Sequence, residues 1–143
     1  MTCPVVLFGQ TFAKKATTPT TNRYYAWRLM KRAGVHVMGI CSEPWMGVCH
    51  ADELFYLFSI PDQRTAEERR LSRDMIRAWT SFARSGQPGV IGPKSVQWTE
   101  AFDRNDTSSF TTRHMALDPR NYSMIEGFWK TTCDDFWRQR IFV

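Results

Sequence analysis

His50 is the residue of this chain whose type and surroundings are best suited to chemistry. It follows a short run that contains a glycine, and it precedes two acids, Asp52 and Glu53. An imidazole titrates near neutral pH, so it can accept and return a proton during a reaction. A lone histidine is more often structural, and we interpret His36 and His114 in that way. The position of His50 alone leaves both interpretations open.

Four cysteines could form disulfides or bind a metal. Cys3, Cys41, Cys49 and Cys133 allow three pairings if all are oxidised. No C-x-x-C pair is present, and Cys41, Cys49 and His50 are poorly spaced for a zinc site. We therefore predict no metal site and no cofactor.

Composition and charge narrow the class of protein. The chain has 143 residues, of which 43% are hydrophobic and 14% aromatic, enough for one domain with a core. Its net charge is +5, and Arg69, Arg73 and Arg77 repeat every four residues. We interpret these arginines as a solvated helix face, because no aromatic residues interleave with them as in a nucleic-acid-binding surface. We predict no nucleic-acid partner.

The sequence contains no signal for membrane insertion, and its signals for secretion disagree with one another. No run of about 18 apolar residues is present, so we predict no transmembrane segment. The first residues lack the basic start of a signal peptide. Two glycosylation sequons begin at Asn105 and Asn121, and they favour secretion, although such triplets also arise by chance.

Capping signals and periodicity predict two of the elements around His50. Thr65 and Glu68 form a capping box, apolar residues follow at helical spacing, and Gly86 ends the helix. Ser123 and Glu126 repeat the capping-box pattern and predict the start of a last helix. The apolar stripe of that last helix comprises Ile125, Phe128, Trp129, Phe136 and Trp137.

The remaining segments predict an α/β fold with too few strands. We expect a helix over 3–15, strands over 23–29 and 112–117, and loops over 17–22, 30–44 and 87–111. A mixture of helices and strands in this order indicates an α/β layer structure. Two strands cannot form a self-sufficient sheet, so we predict that residues 1–143 are a truncated part of one larger domain.

Two motifs resemble a known family. The run PWMGVCHADELFYLF at 44–58 and the run TAEERRLSRDMIRAWTSFARSGQP at 65–88 resemble the C-terminal part of type-B carboxylesterases, especially the cholinesterase branch. The resemblance covers essentially the whole chain, from Cys3-Pro4 to Cys133 and Phe136-Trp137. Because the motifs occur together and in order, the resemblance is specific.

The resemblance implies an α/β-hydrolase fold that hydrolyses small carboxylic esters with a Ser, Glu, His triad and no cofactor. His50 matches the catalytic histidine of the family, and Glu53 matches a buried acid that supports it. No Gly-x-Ser-x-Gly motif occurs in the chain, and the family's acid lies upstream of the Cys3 segment. We therefore expect a C-terminal piece of a longer, secreted or surface-attached hydrolase, inactive by itself.

The resemblance also assigns structural roles. It implies a disulfide between Cys3 and Cys133, whose Cα atoms should then lie within about 7 Å of each other. Cys49 stands where the family more usually has an aliphatic residue, and it could pair with Cys41 or remain a buried thiol. Trp45 matches an aromatic near the acyl or alcohol pocket, although a tryptophan before a glycine turn is more often part of the core.

A non-catalytic alternative belongs to the same fold. Some relatives in the cholinesterase-like group are adhesion proteins that have lost triad residues. The presence of His50 favours the enzyme over the adhesion protein.

Overall fold

The structure is a computed structural model that describes residues 2–18, 21–34, 41, 43–58, 64–103, 112–127 and 131–141. Within these ranges the chain is a mixed helix and strand structure. Its helices are α1 (Thr2–Lys14), α2 (Asp52–Phe58), α3 (Ala66–Ser85) and α4 (Arg138–Ile141), with a 3-10 helix at Pro44–Met46 and a π-helical stretch at Thr131–Trp137. Its strands are β1 (Trp27–Leu29), β2 (Val90–Ile91), β3 (Val96–Gln97), β4 (Arg113–Leu117) and β5 (Ser123–Glu126). None of the helices in the described ranges is long and apolar enough to cross a membrane.

A small sheet has the strand order β1-β4-β5. Strands β1 and β4 are parallel, with Trp27 opposite Met115 and Leu29 opposite Leu117. The strand predicted at 112–117 is confirmed, whereas the strand predicted at 23–29 keeps only its last three residues. Residues 23–26 are not part of the strand, and among them Tyr24 stacks its ring on that of Phe102, with 5.7 Å between the ring centroids.

A short antiparallel hairpin pairs β2 with β3, so the loop predicted over 87–111 is wrong at these residues. Each strand has only two residues, which is too short for an alternating pattern to show in the sequence. The turn between them uses positive φ angles at Gly92 (73°) and Ser95 (50°). The Trp98 N–H donates to the Gly89 carbonyl at 3.0 Å and extends the hairpin.

Helix α3 begins and ends where the sequence predicts. The Thr65 hydroxyl accepts from the Glu68 N–H at 3.2 Å, and the Thr65 N–H donates to the Glu68 carboxylate at 2.8 Å. Gly86 adopts a left-handed conformation (φ 70°) and caps the C-terminus. The buried face of α3 includes Leu71 and Met75, both 0% exposed. The capping box and the period of the apolar residues are confirmed.

The second predicted capping box is wrong, because Ser123–Glu126 is strand β5. The pattern Ser-x-x-Glu is compatible with either structure. Here the segment lies next to β4 in the sheet, and the Gly127 N–H donates to the Thr112 carbonyl at 3.0 Å. The last helical segment therefore starts later, within the described part at Thr131.

The chain divides into two compact units. One unit contains residues 1–26, 99–114 and 124–143, and its described core groups Ala13 with Ala101 and Phe102. A second cluster in this unit joins Val6 to the Cys3–Cys133 disulfide.

The other unit contains residues 27–98 and 115–123, and it includes His50. Three of its tryptophans pack edge to face, with the Trp79 ring 5.3 Å from Trp27 and 5.8 Å from Trp98 between centroids. Such pairs add to the free energy gained from burial alone. This unit therefore contains an aromatic cluster centred on Trp79.

Candidate functional site

His50 lies in a tight turn directly before α2. The Asp52 N–H donates to the Cys49 carbonyl at 3.2 Å, and Ala51 has a φ of 71°. A backbone bond from the fourth residue to the first, with positive φ at the third, is the pattern of a type II turn. His50 occupies the second position and is exposed. Within the described residues, no hydrogen bond or ion pair involves its imidazole.

The side chain of Asp52 adds a second hydrogen bond across the turn. Its side chain is buried (1% exposed), and its Oδ2 accepts from the Cys49 N–H at 3.0 Å. In a capping box, the acid at the third helical position reaches back to a backbone N–H in the same way. This role is not predicted from the sequence, because Cys49 is not the serine or threonine that identifies a capping box. The remaining signal was an acid three residues after the start of the turn.

The residue before His50 is also held covalently. Cys49 forms a disulfide with Cys41, with 6.4 Å between the Cα atoms. Cys41 is buried (7% exposed). The two alternatives that the sequence left open for Cys49 are therefore resolved in favour of pairing, and the turn is attached to a buried residue.

Helix α2, the element that follows the turn, is anchored by its own side chains. The Tyr56 hydroxyl, fully buried, is shared between the carbonyls of Lys31 (3.3 Å) and Arg32 (3.1 Å). Burial raises the pKa of Tyr56, and the negative charges of Glu68 and Asp52 raise it further, against a smaller opposing effect of Arg64. Tyr56 therefore stays protonated and can act as a hydrogen-bond donor throughout the physiological range.

The C-terminal end of α2 is capped by a buried cation. Arg64, 6% exposed, donates to the Phe55 carbonyl at 2.7 Å and to the Tyr56 carbonyl at 3.4 Å. Its guanidinium also lies 5.1 Å from the centre of the Phe55 ring. A positive charge at this end of a helix is favoured by the helix dipole. Helix α2 is thus held at its start by the bonds of Asp52 and at its end by those of Arg64.

A cleft of about 500 Å³ lies beside the turn. It is lined by β1 with Met30, by residues 46–49 and by Glu53. Glu53 is half-buried, whereas its neighbour Asp52 is the buried acid. In the described part of the chain, Glu53 and His50 are not hydrogen-bonded to each other.

The structure places the other predicted residues as follows. Cys3 and Cys133 form a disulfide with 5.0 Å between Cα atoms, inside the limit of about 7 Å. Asn121 is exposed, and Asn105 lies outside the described residues. Trp45 is 79% exposed, so it is not part of a core here. In the described ranges, no cluster of three or more His, Cys, Asp or Glu side chains could hold a metal.

Comparison with known proteins decides the family. The sequence model of the carboxylesterase family matches residues 1–137. The chain belongs to the carboxylesterase family. Family membership and the resemblance around His50 agree, since the match includes the whole of the turn and α2.

Individual relatives are similar over most of the chain. Acetylcholinesterase from Bungarus fasciatus is 33% identical over 132 residues, which is 89% of this chain and 20% of that protein. Acetylcholinesterase from Gallus gallus is 32% identical over 133 residues, 89% of this chain and 16% of that protein. Bile salt-activated lipase from Rattus norvegicus is 44% identical over 59 residues, 38% of this chain and 10% of that protein. The chain thus spans about a fifth or less of the length of these relatives.

Proposed function

We propose that this chain is the C-terminal part of a serine hydrolase of small carboxylic esters with an α/β-hydrolase fold. In such a protein His50 is the general base, and the serine and the acid of the triad come from other parts of the polypeptide. The observation that carries the proposal is an exposed imidazole on a turn held by Asp52 and by the Cys41–Cys49 disulfide. Triad histidines come last in the chain order of this fold, which agrees with a position in a C-terminal segment.

The chemistry assigned to His50 is proton transfer. The imidazole accepts the proton of the serine hydroxyl while that oxygen bonds to the ester carbonyl carbon. The imidazolium then donates the proton to the leaving alcohol oxygen as the ester bond breaks, which leaves an acylated serine. Water takes the place of the serine hydroxyl in the second half of the reaction. A base used in this way must be accessible, and the exposure of His50 on a restrained turn supports the assignment.

Two neighbours of His50 have supporting roles in the proposal. Glu53 follows on α2 and supports the histidine from the wall of the cleft. Trp45, 79% exposed, offers an apolar surface to the acyl or alcohol group of the ester. Both roles rest on family resemblance together with position near the turn.

The proposal includes secretion or display at the cell surface. All four cysteines are in disulfides, which persist in oxidising compartments such as the secretory pathway. Asn121 is exposed and begins a sequon, so it is available for glycosylation.

Replacing His50 by alanine tests the function. In the complete protein, we expect His50→Ala to lower the turnover of a simple ester at least about 10⁴-fold, because triad residues act as a unit. The side chain is exposed, so the thermal unfolding midpoint should stay unchanged and serves as the control for folding. Near-normal turnover in the variant would remove His50 from the triad. If the complete wild-type protein showed no ester turnover, that result would instead support the alternative of a non-catalytic adhesion protein.

A further inference from the structure

We propose that Asp52 is a positioning residue for His50, an assignment that rests on the proposed esterase function. Its carboxylate accepts the Cys49 N–H at 3.0 Å while its own N–H donates to the Cys49 carbonyl at 3.2 Å. These two bonds close the four-residue turn on both sides of the histidine. The backbone from which the imidazole extends is therefore held by a residue that does not touch the substrate.

The burial of Asp52 makes this restraint a strong one. A carboxylate that is 1% exposed has lost its contact with water and depends on hydrogen bonds from the protein. If the turn rotated away, the Cys49 N–H would leave the Asp52 side chain, and a buried acceptor would lose a donor. Such a loss is unfavourable, so Asp52 opposes rotation of the turn.

The turn needs a restraint because its backbone is strained. Ala51 has a φ of 71°, in the left-handed region that favours glycine. An alanine in an unrestrained loop prefers negative φ, and a change of φ at Ala51 would turn the peptide that follows His50. Asp52 opposes this relaxation from the next position along the chain.

Cys49 receives restraints from two directions. Its N–H binds Asp52, and its sulfur is bonded to Cys41, which is buried. The disulfide limits where Cys49 can move, whereas the hydrogen bond determines how the peptide unit before His50 is oriented. Asp52 therefore controls the orientation that the disulfide alone leaves free.

A positioning role predicts a particular kinetic defect. His50 transfers protons in the transition state, so misdirection of its ring lowers kcat, while binding of the substrate and hence KM stays close to normal. Loss of folding has a different effect, since it lowers the number of working sites without changing kcat at each of them.

The experiment measures kcat per active site in the complete protein. Sites are counted by stoichiometric labelling of the serine with an organophosphonate, carried to completion. We expect Asp52→Ala to lower kcat per labelled site about 100-fold, with KM within about threefold of wild type. Asp52→Asn keeps an oxygen that can accept the Cys49 N–H, so its kcat per site should exceed that of Asp52→Ala at least about tenfold.

Asp74 provides the matched control. It lies on α3 in the same unit and accepts a hydrogen bond from the buried Tyr122 hydroxyl at 2.9 Å. Asp74→Ala removes a structural bond far along the chain from the turn, so it should lower the unfolding midpoint and leave kcat per site unchanged. If Asp52→Ala yields too little folded protein, Asp52→Ser replaces it, because the serine hydroxyl is too short to reach the Cys49 N–H.

The outcomes separate this proposal from the proposed function. Normal turnover in His50→Ala would overturn the function. A strong defect in His50→Ala together with wild-type kcat per site in Asp52→Ala or Asp52→Ser would overturn the positioning role alone. A loss of labelled sites without a loss of kcat per site, as in Asp74→Ala, would reduce Asp52 to a structural residue and overturn the proposal.

Discussion

Ala51 has a positive φ, 71°, in the turn that carries His50. For a residue with a Cβ this conformation is unfavourable by about 1–2 kcal/mol, whereas glycine adopts it at little cost. Strained residues persist where the surrounding structure restrains them, and they are common at functional sites. The strain here is opposed by the bond from Cys49 to Asp52 and by the disulfide to Cys41.

We expect Ala51→Gly to raise the thermal unfolding midpoint slightly or leave it unchanged. Relief of about 1–2 kcal/mol of strain is offset by about 0.5–1 kcal/mol from the greater freedom of glycine in the unfolded chain. The control is Ala78→Gly in α3, where the residue is helical and 1% exposed. That substitution should lower the midpoint, since glycine within a helix costs about 1 kcal/mol. A similar decrease in both variants would show that the turn does not hold Ala51 at positive φ in solution.

The buried side chain of Glu68 links helix α3 to the segment after β1. Glu68, 3% exposed, accepts from the N–H groups of Thr65 and Gly34, each at 2.8 Å. Burial by itself raises the pKa of this carboxyl, but the bonds from Thr65 and Gly34 and the charge of Lys31 outweigh it and lower the pKa below its ordinary value. The ionised form is thus favoured in the folded protein.

This shift predicts how stability depends on pH. A carboxyl with a lowered folded pKa stabilises the protein fully above its ordinary value of 4.5, and the contribution disappears as pH falls through the folded pKa. We therefore expect Glu68→Gln to lower the unfolding midpoint at pH 7, and the difference from wild type to shrink as the pH falls below 4.5.

Glu67→Gln is the control for this element. Glu67 lies beside Glu68 in the first turn of α3 and pairs with Lys31 at 3.8 Å, but its side chain is 40% exposed. Exposed pairs of this kind contribute about 0–1 kcal/mol. An equal pH-dependent loss in both variants would argue that general charge at the helix N-terminus, rather than the buried bonds of Glu68, is responsible.

At the scale of the whole molecule, the two disulfides close loops of very different length. Cys3 and Cys133 are 130 residues apart, whereas Cys41 and Cys49 are 8 residues apart. In the chain-entropy account, a disulfide stabilises by restricting the unfolded chain, and the effect grows with the logarithm of loop length. The longer loop should therefore contribute about 5 kcal/mol and the shorter one about 2.5 kcal/mol.

We expect Cys3→Ala/Cys133→Ala to lower the unfolding midpoint more than Cys41→Ala/Cys49→Ala does. For ester turnover per labelled site the order should be reversed, because only the shorter disulfide is bonded to the residue before His50. Thermal unfolding and kinetics of the same preparations measure both effects. Equal midpoints for wild type and the Cys3/Cys133 variant would indicate that this disulfide does not form in the protein in solution.

Local sequence signals were sufficient to predict the two ends of α3 and the turn that carries the candidate residue His50. The capping box at Thr65 and the glycine at position 86 act through bonds within a few residues, so they can be recognised without the fold. The motif around His50 likewise indicated a turn and, through resemblance, a family that the comparison confirmed.

The tertiary structure decided what depends on partners distant in the chain. Ser123–Glu126 became a strand because β4 is available beside it, although its sequence also suits the start of a helix. The pairing of Cys49 depends on Cys41, which the fold brings within bonding distance. Which of the two acids after His50 is buried also depends on packing, since Asp52 is buried and Glu53 is half-buried. The sequence by itself thus determined the family and indicated His50 as the candidate residue for the proposed chemistry. Only packing determined which of its neighbours hold it in place, because burial and pairing are properties of the folded chain.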